Sequence, residues 1–411
     1  MWLIIFKMLM ARKGRYGWLL TELVVVSIAV WVLVDPLVVQ TSIELQDKGF
    51  DEHRLYRMEL KTYSENYPHF VEMDEAERHE AQLLMLRMVR SYPGVVSATF
   101  QGGNGPFCSS TSIYTFRCDN LEAFVNSVDF VPRSDFFKTF RFSESGRNSN
   151  AELDSMTFGD DCVAMSEETL PGRSVMGNLD SISNITVVAT TGLVRLHPDT
   201  PPEGVMFLPR TGMDVRAIVM RISDNIDEQK FLSDFTDWVK KRLKSGNFYV
   251  NEVQSYSDFM DDNSGNFKSY VQMRMVLGIF FLFCLFLGVS GTFWMQTNSR
   301  REEIGIMKSF GATSSVIVRT LIAEGVILAT AAVAIGCFLY LQYAIKEGLY
   351  LPDGNMYKFL SGRYWYEHFA SHFAVTSLVT WMIVVIVVCT GIYVPARRVS
   401  RITPTDAIHE E

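Results

Sequence analysis

The chain has 411 residues, 48% of them hydrophobic, and carries 38 Lys and Arg against 46 Asp and Glu, a formal charge of −8. That charge sums two unlike parts: residues 41–270 hold 23 basic and 35 acidic side chains (net −12), and all other residues hold 15 and 11 (net +4). So acidic a surface argues against nucleic acid as a partner, and uncharged runs at 275–296, 325–345 and 373–396 exclude a wholly soluble chain, because each reaches the roughly 20 residues that cross a bilayer.

In chain order, residues 1–17 read as a short interfacial helix, apolar over 2–10 around Lys7 and then basic at Arg12, Lys13 and Arg15. A first span over 18–40 is centred on the uncharged run 23–34, with Trp18 and Trp31 toward its ends, where interfacial aromatics sit. A cleaved signal peptide is the competing reading; the apolar stretch is long for one, and no small-x-small pattern follows before Gln40. Glu22 must face a helix partner or reach the headgroups, since a carboxylate at mid-bilayer costs about 2.5–3.5 kcal/mol on insertion scales.

Residues 41–270 form an α+β domain long enough to bury its own core. Residues 42–63 and 74–91 are charged and periodic, with Ala81, Leu84, Met85 and Met88 at helical spacing. Pro93-Gly94 ends that helix before a strand at 95–101. A further strand is predicted at 112–117, a short helix at 121–128, an aromatic strand at 136–142 and a loop at 143–154. Strands at 161–165, 185–190, 205–208, 215–221 and 248–253 surround an amphipathic helix at 227–244 that puts Phe231, Phe235, Trp238 and Val239 on one side. Residues 258–272 read as a polar linker.

The second span covers 271–296, where Gly288 and Gly291 permit close helix approach. A short charged helix within 297–315 follows, packing Arg300, Arg301, Glu302 and Glu303 ahead of Ile304-Gly305-Ile306 and closing on Gly311-Ala312. Gly311 suits a left-handed C-terminal residue, and Thr313-Ser314 can cap the third span, 316–345. Glu324 lies about three turns into that span and reads as a packed polar residue or a coupling element. An aromatic outer loop at 346–371, a fourth span at 372–394 and a basic tail at 395–411 complete the chain. Residues 1–17, 296–320 and 395–411 hold eleven Lys and Arg, and the loop 346–371 holds Lys346, Lys358 and Arg363. Both termini are therefore expected in the cytoplasm.

Catalytic motifs are missing. No Gly-Lys dipeptide occurs, so there is no P-loop. His368 and His372 lack a third ligand for a metal, and Asp258, Asp261, Asp262 and Gly265 fail calcium-loop spacing. No catalytic or metal residue is assigned. Cys284, Cys337 and Cys389 read as apolar packing residues in spans; Cys108 and Cys118 could close a hairpin as a disulfide, leaving Cys162 over.

Three inner features together, the glycine-bearing end of the second span LFLGVSGTF, the segment RREEIGIMKSFGATSSVIVRTLIAEGVILA and the tail PARRVSRITPTDAI, resemble in order and spacing the permease subunits of MacB-type and FtsX-like ABC transporters. Over 95–248 the resemblance rests on domain size and element order. It implies a four-helix membrane protein with a large periplasmic domain between helices 1 and 2, in the bacterial inner membrane, working by mechanotransmission. It places Arg300, Arg301, Glu302, Glu303, Ile304, Gly305, Ile306, Lys308, Gly311 and Ala312 on the helix that couples to an ATPase, and Glu324 on an acidic position of the third span. Ser309-Phe310 departs from the small apolar pair expected before Gly-Ala, and Glu22 matches no pattern. With 17 residues before the first span, the ATPase is expected in trans, with ATP and magnesium on that partner and no cofactor in this chain. Further partners implied are a second permease copy or paralogue, the bilayer, and a periplasmic adaptor with an outer-membrane channel. The function expected is export or extraction of a peptide, drug or lipid-linked molecule; a lipoprotein-release permease and a non-transporting regulator of a cell-wall hydrolase are the alternatives.

Overall fold

The computed structural model describes residues 13–401 except 69, 109, 111, 119–120, 160, 171–173, 179–184, 299–300 and 353–361. The interfacial-helix reading for residues 1–12, the tail beyond 401 and Arg300 lie outside these residues. The chain divides into a membrane unit, drawn from Met1–Thr41, Ser269–Leu351 and Gly362–Glu411, and an inserted unit built on Ser42–Lys268.

In the inserted unit the first sheet has the order β10(Lys244–Ser245)-β11(Phe248–Val250)-β1(Leu55–Thr62)-β9(Ala217–Ile222)-β2(Val95–Gln101), and β12(Gln254–Ser255) also pairs with β1. All its pairings are antiparallel; Leu55 lies opposite Arg221 and Leu60 opposite Val250. Two helices, α2(Glu75–Arg90) and α5(Glu228–Arg242), cover one face. Asp74 and Glu77 start α2 with a reciprocal capping box, and Asp227 caps α5. The period-2 geometry of β9 sends Ile218, Met220 and Ile222 to the side of those helices, where they meet Met85, Val89, Phe231 and Phe235. Val219 and Arg221 therefore face the other way.

The second sheet has the order β3(Ser112–Cys118)-β4(Leu121–Phe130)-β8(Val205–Pro209)-β5(Cys162–Ser166)-β7(Thr186–Thr191)-β6(Gly177–Asn178), with β4 and β8 parallel, as are β5 and β7. Between the sheets lies an aromatic core of Phe50, Phe130, Phe136, Phe137, Phe140, Phe142 and Phe207.

Several expectations are corrected here. The stretch 121–128 is a strand, because β3 and β8 pair with it on both edges. The charged segment 42–63 ends in the inner strand β1, and the polar linker at 258–272 is helical, as α6(Tyr256–Asn263) and the start of α7(Gly265–Asn298). The predicted aromatic strand contains the helix α3(Phe136–Phe140), and the loop before Ser155 contains the helix α4(Asn150–Ser155). α3 is held from outside: the Asp154 carboxylate accepts from Phe137 N and Lys138 N, and Arg221 donates to Thr139 O and Phe140 O. Cys108 is a free thiol, and the side chain of Cys118, its candidate disulfide partner, lies outside the described residues. Cys108 is buried 3.8 Å from Gly102 O, and burial pushes its pKa up to about 11.

In the membrane unit α1(Lys13–Glu44), α7, α9(Ser314–Glu347) and α10(Phe369–Val399) are long and apolar enough to cross a bilayer. On α10 the buried side recurs every fourth residue, His372, Thr376, Thr380, Val384, Val388, Ile392 and Ala396, as one face of a helix must. Trp31, expected at an interface, is instead fully buried, packed against the tilted Tyr340 ring (centroids 4.1 Å apart) with its Nε1 donating to Ser377 Oγ at 3.1 Å.

Candidate coupling helix and buried polar cluster

Between α7 and α9 lies the short helix α8(Arg301–Ser309). Its end is built by one glycine. Gly311 N donates to Lys308 O (2.9 Å) and Ala312 N to Met307 O (3.0 Å), the paired bonds of a Schellman stop, and Gly311 sits at φ +91, where a Cβ is disfavoured. Nothing crowds that position, so Gly311→Ala tests conformation alone. It is expected to cost about 1 kcal/mol and to speed amide exchange at residues 310–312 by about fivefold, measured by hydrogen exchange. Thr313 then caps α9 by accepting from Val316 N, and Ser314 Oγ donates to Ser400 O at 2.6 Å, tying the start of α9 to the end of α10.

Two faces of α8 differ. Ile304 and Gly305 are buried, Ile304 within the cluster that holds Ile317, Leu321 and Val399. Glu302, Glu303, Ile306, Met307 and Phe310 are exposed at positions i, i+1, i+4, i+5 and i+8, which is one stripe on a helix. It begins acidic and ends apolar, with Phe310 88% exposed. The sequence reading treated Phe310 as a mere departure and left Met307 out. Lys308 is half-buried, Arg301 is placed only by its backbone, and Ala312 is half-buried at the helix stop. Arg398 lies over the Trp294 ring at 4.7 Å, joining the ends of α10 and α7.

Glu22 and Glu324 lie elsewhere in the bundle. Glu22 rests on α7 at Gly288, where a Cβ would stand 2.3 Å from its Oε1. Only glycine leaves that notch open. Glu324 is buried on α9 at 4% exposure.

A cluster that the sequence reading missed joins α1 to α10. Asp35, 3% exposed, and His372, 0% exposed, meet through Oδ1 and Nε2 at 2.5 Å. The other ring nitrogen, Nδ1, faces Tyr366 O at 2.9 Å. A carbonyl can only accept, so Nδ1 carries a proton. Asp35 also accepts from Thr376 Oγ1 (3.3 Å) and Tyr350 N (3.1 Å). Contacts from α10, through His372 and Thr376, and from Tyr350 thus converge on one buried carboxyl of α1. His372, Thr376 and Thr380, polar residues four apart in an apolar span, were the available signal. Among the described residues no group of three or more His, Cys, Asp and Glu could hold a metal ion.

Four apolar helices, an α+β domain inserted between the first two, and a short two-faced helix between the second and third define a multi-pass membrane protein. Residues 275–404 match the FtsX-like permease C-terminal family model. Two relatives, the macrolide export ATP-binding/permease proteins MacB of Neisseria meningitidis serogroups A and B, are each 21% identical over 204 residues. The match covers 47% of this chain and 28% of each relative, so the chain spans less than a third of their length. The solved periplasmic region of MacB from Actinobacillus actinomycetemcomitans covers 55% of this chain and 98% of its own, at 10% identity and a TM-score of 0.30. On the matched domain and these relatives, the chain resembles MacB/FtsX-like ABC permeases.

Proposed function

We propose that the chain is a permease subunit that transmits work from a cytoplasmic ABC ATPase, supplied by another protein, to its inserted domain, and so drives export or extraction of a peptide, drug or lipid-linked substrate. α8 carries the reading. Its inner side, Ile304 and Gly305, is seated in the bundle, while its outer stripe presents Glu302 and Glu303 followed by Ile306, Met307 and Phe310. A helix anchored by one face and exposing a mixed acidic and apolar face is suited to sit in a partner's groove and to pass its displacement inward. The excess of Lys and Arg in residues 1–17, 296–320 and 395–411 supports placing this helix and both termini in the cytoplasm and the inserted domain in the periplasm. A four-span chain encloses little space, which supports a dimer with a second copy or a paralogue.

The test is recovery of an ATPase with the full-length chain in mild detergent, followed by ATPase and transport assays in vesicles. Glu303→Lys and Phe310→Ala are expected to weaken capture at least about tenfold, as for loss of a central anchor. A bulky residue at Gly305 is expected to leave hydrolysis running while transport stops. Full coupled activity in all three variants would refute the assignment of α8.

A further inference from the structure

The inserted domain carries a second constructed surface, far from α8 in sequence. Tyr67, Tyr63 and Tyr249 form a ladder of stacked rings, with centroids 4.4 and 4.5 Å apart and planes within 2° and 17°. They line a cavity of about 660 Å³ together with Lys240 and Lys244, within the range typical of small-molecule sites. Strand register fixes the chemistry: Tyr249 on β11 stands opposite Lys244 on β10 and Lys61 on β1, and cross-strand partners share a face.

Two features distinguish this ladder from core packing. First, it is held before any ligand arrives. The loop carrying Tyr67 is pinned by Asn247, whose side chain accepts from Val71 N (2.8 Å) and donates to Val71 O (2.5 Å), while Tyr63 N donates to Asn247 O (3.0 Å). Turn bonds from Tyr67 N to Ser64 O and from Phe70 N to Tyr67 O complete the frame. Second, the polar ends of Tyr63, Tyr249, Lys240 and Lys244 are left available. Among the described residues, neither the Tyr63 nor the Tyr249 hydroxyl has a hydrogen-bond partner, and neither Lys240 nor Lys244 has a carboxylate partner, although residues 41–270 carry a net charge of −12. Lys61 is loosely paired, 3.9 Å from Glu59.

Face-to-face stacking consumes most of the ring faces, so the ladder presents ring edges and phenol hydroxyls beside two lysines. Phenol hydroxyls both donate and accept, and lysines only donate. We infer that the groove formed by Tyr63, Tyr67 and Tyr249 with Lys240 and Lys244 binds an anionic saccharide. Successive sugar hydroxyls meet the phenols, and a carboxylate or phosphate on the sugar meets the lysines. Because the groove is preorganised, little ordering cost is set against binding. The inference stands apart from the coupling reading, since binding needs no ATPase.

The experiment uses the full-length chain in detergent and measures binding by calorimetry of trigalacturonate, of maltotriose as its neutral counterpart, of inorganic phosphate and of a short polyglutamate. Trigalacturonate is expected to bind at least about tenfold more tightly than each of the other three. Lys240→Met with Lys244→Met should remove that preference. Tyr63→Phe with Tyr249→Phe keeps the stack and deletes the hydroxyls, so it should weaken binding with the thermal midpoint unchanged; Tyr63→Leu should do so by breaking the ladder. Vesicles carrying a phosphorylated glucosamine lipid separate the two sources. Capture by those vesicles, lost in the lysine variant, supports a lipid-borne saccharide, and binding of the soluble sugar alone supports a free one. Equal affinity for maltotriose or polyglutamate, unchanged binding in the phenylalanine variant, or no binding to either form of anionic sugar would overturn the assignment.

Discussion

Replacing Asp35 with leucine is expected to destabilise the membrane unit by about 1–3 kcal/mol, the usual result of leaving buried polar groups, here on His372, Thr376 and Tyr350, without their partner. His372→Leu should cost a similar amount. With both replaced, most of the loss should return, because the pair's desolvation penalty goes with it and two apolar side chains pack in its place. The measurement is an SDS titration of the full-length chain in mixed micelles, run as a double-mutant cycle. Its size decides what the contact is. Neutral interhelical hydrogen bonds in membranes couple by about 0.6 kcal/mol on average, because the unfolded chain in a micelle also finds partners. A coupling of at least about 2 kcal/mol would mark a hydrogen-bonded ion pair. A value near the neutral average would mark a hydrogen bond whose proton is shared without charge separation. Asp35→Asn offers a check, since it keeps an acceptor for Thr376 and His372 and cannot ionise.

The reason this pair escaped the sequence reading is physical. Asp35 precedes Pro36 at the end of an uncharged run, where a carboxylate commonly meets water, and its partner is 337 residues away. Local pattern carries no information about such a pairing. The spans were legible because the bilayer imposes length and uncharged composition on each one separately. α8 was legible because its charges, Gly311 and Thr313 act within a few residues of each other. Which side of α8 faces out was not, and Phe310 shows why: its exposure depends on where Ile304 is seated against Ile317 and Val399. In the inserted domain, α2 and α5 followed from caps and periodicity. β4 did not, because Leu-Glu-Ala at its start favours helix and only pairing with β3 and with β8, some 80 residues on, makes it a strand. The stacked tyrosines likewise join Tyr63 and Tyr67 to Tyr249 across the sheet.

The segment FFKTF shows the same override most plainly and leads to the second large effect. Rich in aromatics, it reads as a strand, yet it is the helix α3, with Phe136, Phe137 and Phe140 all in the core. Too short to hold itself, it depends on groups outside it. Chief among these is Arg221, whose guanidinium has five N–H donors. Nε donates to Thr139 O (2.7 Å); Nη1 donates to His53 O (2.7 Å) and Asp51 Oδ2 (2.9 Å); Nη2 donates to Asp51 O and to Phe140 O (3.4 Å). One buried side chain thus joins β9, the end of α3 and the strand-entry segment at 51–53. Burial lowers its pKa to about 10, with Asp51 opposing the fall, so it stays charged at neutral pH.

Arg221→Met keeps the length and removes every donor, stranding three carbonyls, since Phe140 O still accepts from Asp51 N, and leaving Asp51 only Arg141 as a cationic partner among the described residues. The expected cost is about 3–5 kcal/mol. For a domain of this size about 1 kcal/mol moves Tm by 2–4 °C, so the inserted domain should melt on the order of 10 °C lower. Hydrogen exchange should show residues 136–142 losing protection ahead of α2 and α5, which do not rely on this contact. Arg221→Lys should recover only a small part, because an ammonium directs its donors from one point and cannot reach carbonyls on both sides of a planar fork. If lysine restored full stability, charge pairing with Asp51 alone would account for the fold around α3, and the five-donor clamp would be the wrong description. If methionine melted within about 2 °C of the parent, α3 would be held by its phenylalanines, with the guanidinium merely filling space between them.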